Sequence, residues 1–278
     1  MRRDASSLLY KVLVQAIFVF ISLTIVFALY YLVANSLKSG AEFQSGQFAP
    51  PRQATASNYR YVWTEGGIGL AFRNSLIICG SSVAVSMLIS LLSGYAFSFL
   101  RFGGRRILSY LILATMYVSP MALVIPLFMQ FGKLHLTNTF VGIILIYVGL
   151  NLAYSIYLMT TYLRSIPGEI VEAAFMDGCG HLRLLGRVLL PLSKAGVIVL
   201  GIITFSLTWN DLLFAFIFLQ DEQRQTIMLA IAKFQGMYGQ ANMTHVLAAL
   251  VIAAAPVVVL YLLAQRFFRE GIVSGAVK

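Results

Sequence analysis

The chain offers little to covalent or metal chemistry. It has 278 residues, with 3 His, 2 Cys and 10 Asp and Glu. His135, His181 and His245 are scattered, and no two have metal-ligand spacing. Cys79 and Cys179 lie far apart, which excludes a C-x-x-C pair and a disulfide framework. Gly178-x-Gly180 does not continue as G-x-G-x-x-G, and there is no G-x-x-x-x-G-K-[ST] phosphate loop. What remains is neutral polar chemistry. Tyr147, Asn151, Tyr154 and Ser155 recur at i, i+4, i+7 and i+8, so a helix places them on one face. Rings to stack on and groups to hydrogen-bond hydroxyls suit a neutral polyol. The same groups also suit bonds between helices. Trp209, Asn210 and Asp211 form a second set, able to stack on and hydrogen-bond such a solute. The other reading is an acid bonded to a neighbouring helix or to water.

The elements that must position these groups lie in lipid. Residues of the set AVILMFWYC make up 59% of the chain and charged residues 11%. The mean hydropathy is +0.85. A soluble domain carries about 25% charge. This composition excludes a soluble enzyme domain, a disordered chain and a disulfide scaffold. Apolar stretches at 12–34, 74–100, 107–131, 139–163, 195–219 and 244–265 each approach or exceed the roughly 20 residues that cross a bilayer. Amides in lipid must be paired within their own segment, so the prediction is an all-α polytopic membrane protein with six transmembrane helices. The first stretch is too long for a signal-peptide core and reads as an uncleaved span. Asp211 is the ionisable residue inside these stretches, and such residues are functional candidates. Pro120 and Pro126 predict a kink in the third span. Ser82, Ser86, Ser90 and Ser93 form a small-residue stripe that predicts close helix packing. No Ser-His-Asp or Cys-His constellation follows, because the candidates fall on opposite sides of the membrane.

Basic residues set the orientation. With both termini cytoplasmic, thirteen of the 20 Lys and Arg fall inside and seven outside. The short loop at 101–106 carries Arg101, Arg105 and Arg106, against Lys133 alone in the short loop at 132–138. The net charge of +10 is therefore largely a topology signal. No basic, aromatic-interleaved soluble domain exists to bind nucleic acid. The expected organisation is a cytoplasmic N-terminus at 1–11, a six-span domain at 12–267 and a cytoplasmic tail at 268–278. The segments 35–73 and 220–243 are expected outside. In the second, Gly236 and Gly239 flank Met237 and Tyr238, which suits a mobile loop facing an external partner; the other reading is a loop packed only on its own spans. After 265 the tail, with Gly271, Ser274, Gly275 and Lys278, has too little apolar area to fold alone.

The segment 164–194 carries helix signals on both sides of a glycine. Pro167 suits a first helical position, and Glu169 lies in the first turn. Ile170, Ala173 and Ala174 share a face, and Gly178 marks the stop. Leu185, Val188 and Leu189 repeat the spacing, and Pro191 ends the second helix. A small-residue stripe beside Glu172 and Asp177 would admit a close, basic protein surface. The other reading is an amphipathic hairpin on the headgroups.

Glu172-Ala173-Ala174, then Gly178, then Val188-Leu189-Leu190-Pro191, resembles the EAA loop of bacterial ABC importer permeases. Asn58-Tyr59, Asn74-Ser75, Gly94-Tyr95-Ala96, Arg101-Phe102-Gly104-Arg105, Trp209-Asn210-Asp211 and the tail from Gly271 to Lys278 are similar to the maltose-type carbohydrate permeases. Ile272 and Val273 are conservative departures. The resemblance implies the type I permease fold in the bacterial inner membrane and a role in carbohydrate import. It implies a second, similar permease chain, two ATPases and an extracytoplasmic sugar-binding protein as partners, besides the bilayer. The chain itself would be no enzyme and hold no cofactor; ATP and Mg would sit on the ATPases. Glu172, Ala173, Ala174, Asp177, Gly178, Leu190 and Pro191 would couple to the ATPases. The tail, through Gly271, Ser274, Gly275 and Lys278, would insert between them. The competing classes are an ion-coupled secondary transporter or channel, and a membrane enzyme. The first usually carries several intramembrane charges or inverted repeats, and the second needs a catalytic constellation.

Overall fold

The computed structural model describes the backbone of residues 2–237 and 242–276 and the side chains of 10–233 and 242–265. Every regular element among the described residues is helical. In chain order these are α1 (Arg2–Ser36), α2 (Gly40–Ser45), α3 (Ser57–Thr64), α4 (Ile68–Phe99), α5 (Arg105–Thr115), α6 (Pro120–Lys133) and α7 (Phe140–Arg164). Then come α8 (Gly168–Met176), α9 (His181–Leu184), a π-helical turn (Leu185–Leu189), α10 (Leu190–Leu192), α11 (Lys194–Trp209), α12 (Leu213–Phe218), α13 (Ile227–Met237) and α14 (Met243–Ala276). Four helices are long and apolar enough to cross a membrane, and counting each of two bent pairs as one span brings the crossings to six.

The third apolar stretch is not one kinked helix but two, α5 and α6, meeting at 99°. Pro120 starts α6 and holds Ser119 at φ −63°, ψ 127°, outside the helical region. Pro126 lies within α6 and does not end it. The fifth stretch is also broken, between α11 and α12. The segment expected as a mobile loop at 220–243 instead holds a 3₁₀ turn (Glu222–Arg224) and α13, so Gly236 and Met237 are helical. Tyr238 and Gly239 lie outside the described residues. The tail also departs from expectation: α14, which contains Pro256, continues through Gly271, Ser274 and Gly275 to Ala276. Lys278 lies outside the described residues.

The chain forms two compact units, Met1–Gly69 with Ile231–Ala254, and Leu70–Ala230 with Ala255–Lys278. The first is organised around Lys38, which is fully buried. Its ammonium donates to Asn35 Oδ1 at 2.8 Å, Gly46 O at 2.8 Å and Gln47 O at 3.3 Å. Three N–H groups thus meet three oxygens at the C-terminal end of α1, where the helix dipole also favours a cation. Asn58, from the quoted Asn-Tyr pair, donates to Ser36 O at 2.7 Å and Lys38 O at 2.8 Å. Tyr59 OH lies 2.6 Å from Ser36 Oγ.

In the second unit α11, α5 and α12 pack on α7. One core gathers Ile78, Ile143, Ile146, Tyr147, Phe214 and Phe218. Another gathers Tyr95, Met159, Leu163, Val171, Ala174, Leu184, Leu185, Leu189 and Leu200. Close approach is built from glycine: a Cβ on Gly94 of α4 would come 2.9 Å from Met159 of α7, and one on Gly196 would strike the Tyr162 ring.

Candidate functional site

The 164–194 segment is a helical hairpin. Pro167 is the N-cap of α8 rather than its first residue, and Glu169 lies in the first turn. Gly178 adopts φ +77°, the left-handed region that favours glycine. Its N–H bonds Phe175 O at 3.0 Å, and Cys179 N–H bonds Ala174 O at 3.0 Å. This pair of bonds is the Schellman closure of α8. A Cβ on Gly178 would meet nothing within 4 Å, so the glycine answers a backbone need and not a packing one.

Of the stripe expected to meet a partner, Ile170 and Ala173 are exposed and Ala174 is buried. Val171 and Ala174 pack inward against Leu163, Leu184, Leu185 and Leu189. Ile170, Glu172, Ala173, Met176 and Asp177 face outward, with Met176 87% exposed. Neither Glu172 nor Asp177 is in an ion pair among the described residues. Leu182, 79% exposed, adds to this outward surface.

In the second arm, Leu190 N–H reaches back to Leu185 O, a π-type bond. Pro191 follows at the start of α10 and has no N–H to continue an α ladder. The widened turn relieves that defect. Leu190 is half-buried and Pro191 exposed. Ser193 Oγ donates to Leu189 O at 2.7 Å, where the arm turns by 82° into α11.

The candidate residues in and around the fifth span do not form one site. Tyr147 OH donates to Asp211 Oδ2 at 2.8 Å, and the same oxygen accepts Ala215 N–H at 3.1 Å. Asp211 thus caps α12, satisfying a donor that a broken helix in lipid would otherwise orphan. Asn151 Nδ2 donates to Tyr147 O at 2.8 Å and lies 3.4 Å from Thr208 Oγ1. Tyr147, Asn151 and Asp211 therefore share one buried network. Trp209 is 1% exposed, stacked on Phe205 at 5.2 Å and edge-on to Phe72 at 5.7 Å. Its ring packs helices in this conformation rather than presenting a face to a solute. Asn210 is exposed and bonds Ser206 O. Tyr154 lines a separate apolar cavity of about 750 Å³ between α5, α6 and α7. Ser155 is fully buried, and its hydroxyl has no hydrogen-bond partner among the described residues.

The Asn74-Ser75 pair has a structural task that its spacing did not reveal. Asn74 donates to Gln223 O at 2.9 Å and Gln225 O at 3.1 Å, and Ser75 Oγ accepts Ile227 N–H at 2.7 Å. Arg224 bonds Asn138 O, and Asn138 Oδ1 accepts Asp221 N–H at 3.0 Å. The segment before α13 is therefore tied to α4 and to the loop preceding α7. A further residue outside the expected sets is His181, whose Nδ1 lies 2.5 Å from Tyr95 OH. The two are 86 residues apart, so no local pattern pairs them.

Four helices able to cross a membrane, two sharply bent helix pairs and a helical hairpin closed by a left-handed glycine describe a membrane permease. Residues 80–272 match the family described as binding-protein-dependent transport system inner membrane component. The chain belongs to that family. It is 32% identical to the probable ABC transporter permease protein YurM of Bacillus subtilis, covering 94% of this chain and 87% of that one. It is 32% identical to the melibiose/raffinose/stachyose import permease MelC of the same species, covering 90% of each. It is 28% identical to the diacetylchitobiose uptake permease NgcG of Streptomyces coelicolor, covering 94% of this chain and 87% of that one. Among solved structures, a chain of a bacterial ABC transporter importing the acidic polysaccharide alginate superposes with a TM-score of 0.85. Identity there is 25%, with 95% of this chain and 98% of that chain covered. The protein is thus an all-α ABC importer permease of type I fold, a transport subunit of the inner membrane.

Proposed function

We propose that this chain passes a sugar, an oligosaccharide, disaccharide or related polyol, into the cytoplasm, driven by ATPases that dock on the α8 hairpin. The outward face of that hairpin carries the reading. Exposed Met176, Ala173 and Ile170 beside unpaired Glu172 and Asp177 match an apolar, basic partner surface. The cargo follows from the relatives, whose names specify diacetylchitobiose and melibiose, raffinose and stachyose. The partners are a second permease chain, two ATPases that hold ATP and Mg, and an external sugar-binding protein. A related structure is described as bound to an alginate-pentasaccharide-loaded periplasmic protein, which supports the last of these. The hairpin and both termini face the cytoplasm, with 220–243 outside, where Gly236, Met237, Tyr238 and Gly239 approach the binding protein. The tail, through Gly271, Ser274, Gly275 and Lys278, contacts the ATPases.

Two variants of Gly178 separate docking from turn strain. Alanine and leucine there carry the same left-handed penalty, about 1–2 kcal/mol. The space around a Cβ is open, so both leave the membrane chain folded. Gly178→Ala is expected to retain ATPase in co-purification, and Gly178→Leu to lose it. Full ATPase recovery with Gly178→Leu would sink the docking reading.

A further inference from the structure

The hairpin and α4 share a cavity of about 220 Å³. Tyr95, Phe99 and Leu100 line it from the α4 side, and Gly168, Val171, Glu172, Phe175 and His181 from the hairpin. His181 opens α9 directly after Gly180, so its ring projects at the base of the second arm. Phe175 meets that ring edge-on at 5.2 Å and 74°, and Tyr95 at 5.9 Å and 65°. The Tyr95 OH···His181 Nδ1 bond, 2.5 Å, closes the group. Tyr95 is 6% exposed and also packs into the apolar core of the hairpin. The rest of that core is leucine, valine, alanine and methionine. Apolar contacts of this kind have no preferred direction, so one surface can slide on another. A short hydrogen bond tolerates little change in distance or angle. The bond is part-buried, joining buried Tyr95 to exposed His181, so its loss removes a directed tie between the two surfaces.

We propose that Tyr95 and His181 are positioning residues of the transport cycle, their hydrogen bond locking the hairpin to α4 so that the two move as one body. The inference rests on the reading that the hairpin receives an ATPase. Through this lock, a displacement of the hairpin is delivered to the end of a helix that crosses the membrane. Arg164 at the start of the segment also donates to Phe97 O of α4, at 3.1 Å, but beyond that point, without the Tyr95–His181 bond, the hairpin slides on α4 and the stroke is lost. Tyr95→Phe keeps the ring and removes one oxygen. His181→Asn places an acceptor oxygen near the position of Nδ1.

The test uses the whole permease–ATPase complex in lipid nanodiscs, with Cys179→Ser and spin labels on Gly103→Cys and Arg187→Cys. Both label sites are exposed, one beyond the end of α4 and one on the hairpin. The lock predicts one narrow label distance, unchanged between the nucleotide-free complex and the complex with Mg, ATP and vanadate. Tyr95→Phe and His181→Ala are expected to shift or broaden it by about 2 Å or more with nucleotide, the scale of a helix sliding at an interface. His181→Asn is expected to restore the narrow distance, and the double variant to be no looser than either single one. ATPase recovery should stay at the parental level throughout. An unchanged distance in Tyr95→Phe overturns the proposal, as does failure of His181→Asn to rescue. Loss of ATPase from Tyr95→Phe would also overturn it, making the pair part of the docking surface. Failure of the docking reading is recognised separately, by full ATPase recovery with Gly178→Leu. Should His181→Ala not fold, the comparison of Tyr95→Phe with His181→Asn decides.

Discussion

Asp211 shows what a single acid can do inside a membrane segment. Its Oδ2 receives a tyrosine hydroxyl from α7 and a backbone amide from α12. Removing the two donors' shared acceptor should cost more than removing one donor. Asp211→Leu leaves both unsatisfied and is expected to destabilise by about 2–4 kcal/mol. Tyr147→Phe leaves the α12 cap in place and is expected to cost about 1 kcal/mol or less, as interspan bonds usually do. Cys79 is 1% exposed, so in a Cys179→Ser background a thiol-reactive fluorophore reports unfolding as its reactivity appears on heating. Equal melting shifts for the two variants would contradict the capping role. The acid was legible as a residue of interest because charge inside an apolar run is conspicuous. Its partner in α12 was not, since a carboxylate reads the same in sequence whether it caps a helix or faces a solute. The Tyr95–His181 pair was illegible for another reason: its members were recorded separately, one in a quoted motif and one as a lone histidine. That Val171 and Ala174 form the buried face of α8 was not legible, because a nine-residue helix admits two adjacent stripes. The leucines of α9 and the π-helical turn choose between them.

At the level of elements, apolar run length located the crossings well and located the breaks poorly. Counting apolar residues registers solubility in lipid, and a broken helix whose amides are capped is as soluble as a straight one. The proline breaks carried more signal. Pro120 was visible as a disruption, and Pro191 as a terminator, yet the π turn ahead of Pro191 has no signature beyond the proline itself. That turn offers a prediction. Pro191→Ala restores an N–H that can bond Arg187 O, allowing the arm from His181 to Leu192 to close into regular α-helix. The melting temperature of the complex should rise, since an interior helical proline costs about 3 kcal/mol. ATP hydrolysis by the assembled complex should fall, because narrowing the turn rotates the hairpin relative to α11. A variant with both stability and hydrolysis unchanged would show that the widened turn has no role in coupling.

For the molecule as a whole, orientation is the property from which the sidedness of every site follows. An acylating reagent that cannot cross lipid, applied to sealed right-side-out vesicles, should modify Lys133 and spare Lys11. Both residues are exposed in the structure, so only the membrane distinguishes them. The reverse pattern would invert the topology and place the hairpin away from the ATPases. Lys38 lies on the same side as Lys133 in this orientation, yet it should give no adduct. The Lys38 side chain is fully buried, its nitrogen bonded to Asn35, Gly46 and Gln47, so the reagent has no route to it. Its modification would therefore appear only once the 37–55 segment has peeled from the end of α1. One mass spectrum thus reads two things at once: Lys133 records which side of the vesicle was reached, and Lys38 is a tamper seal on the fold.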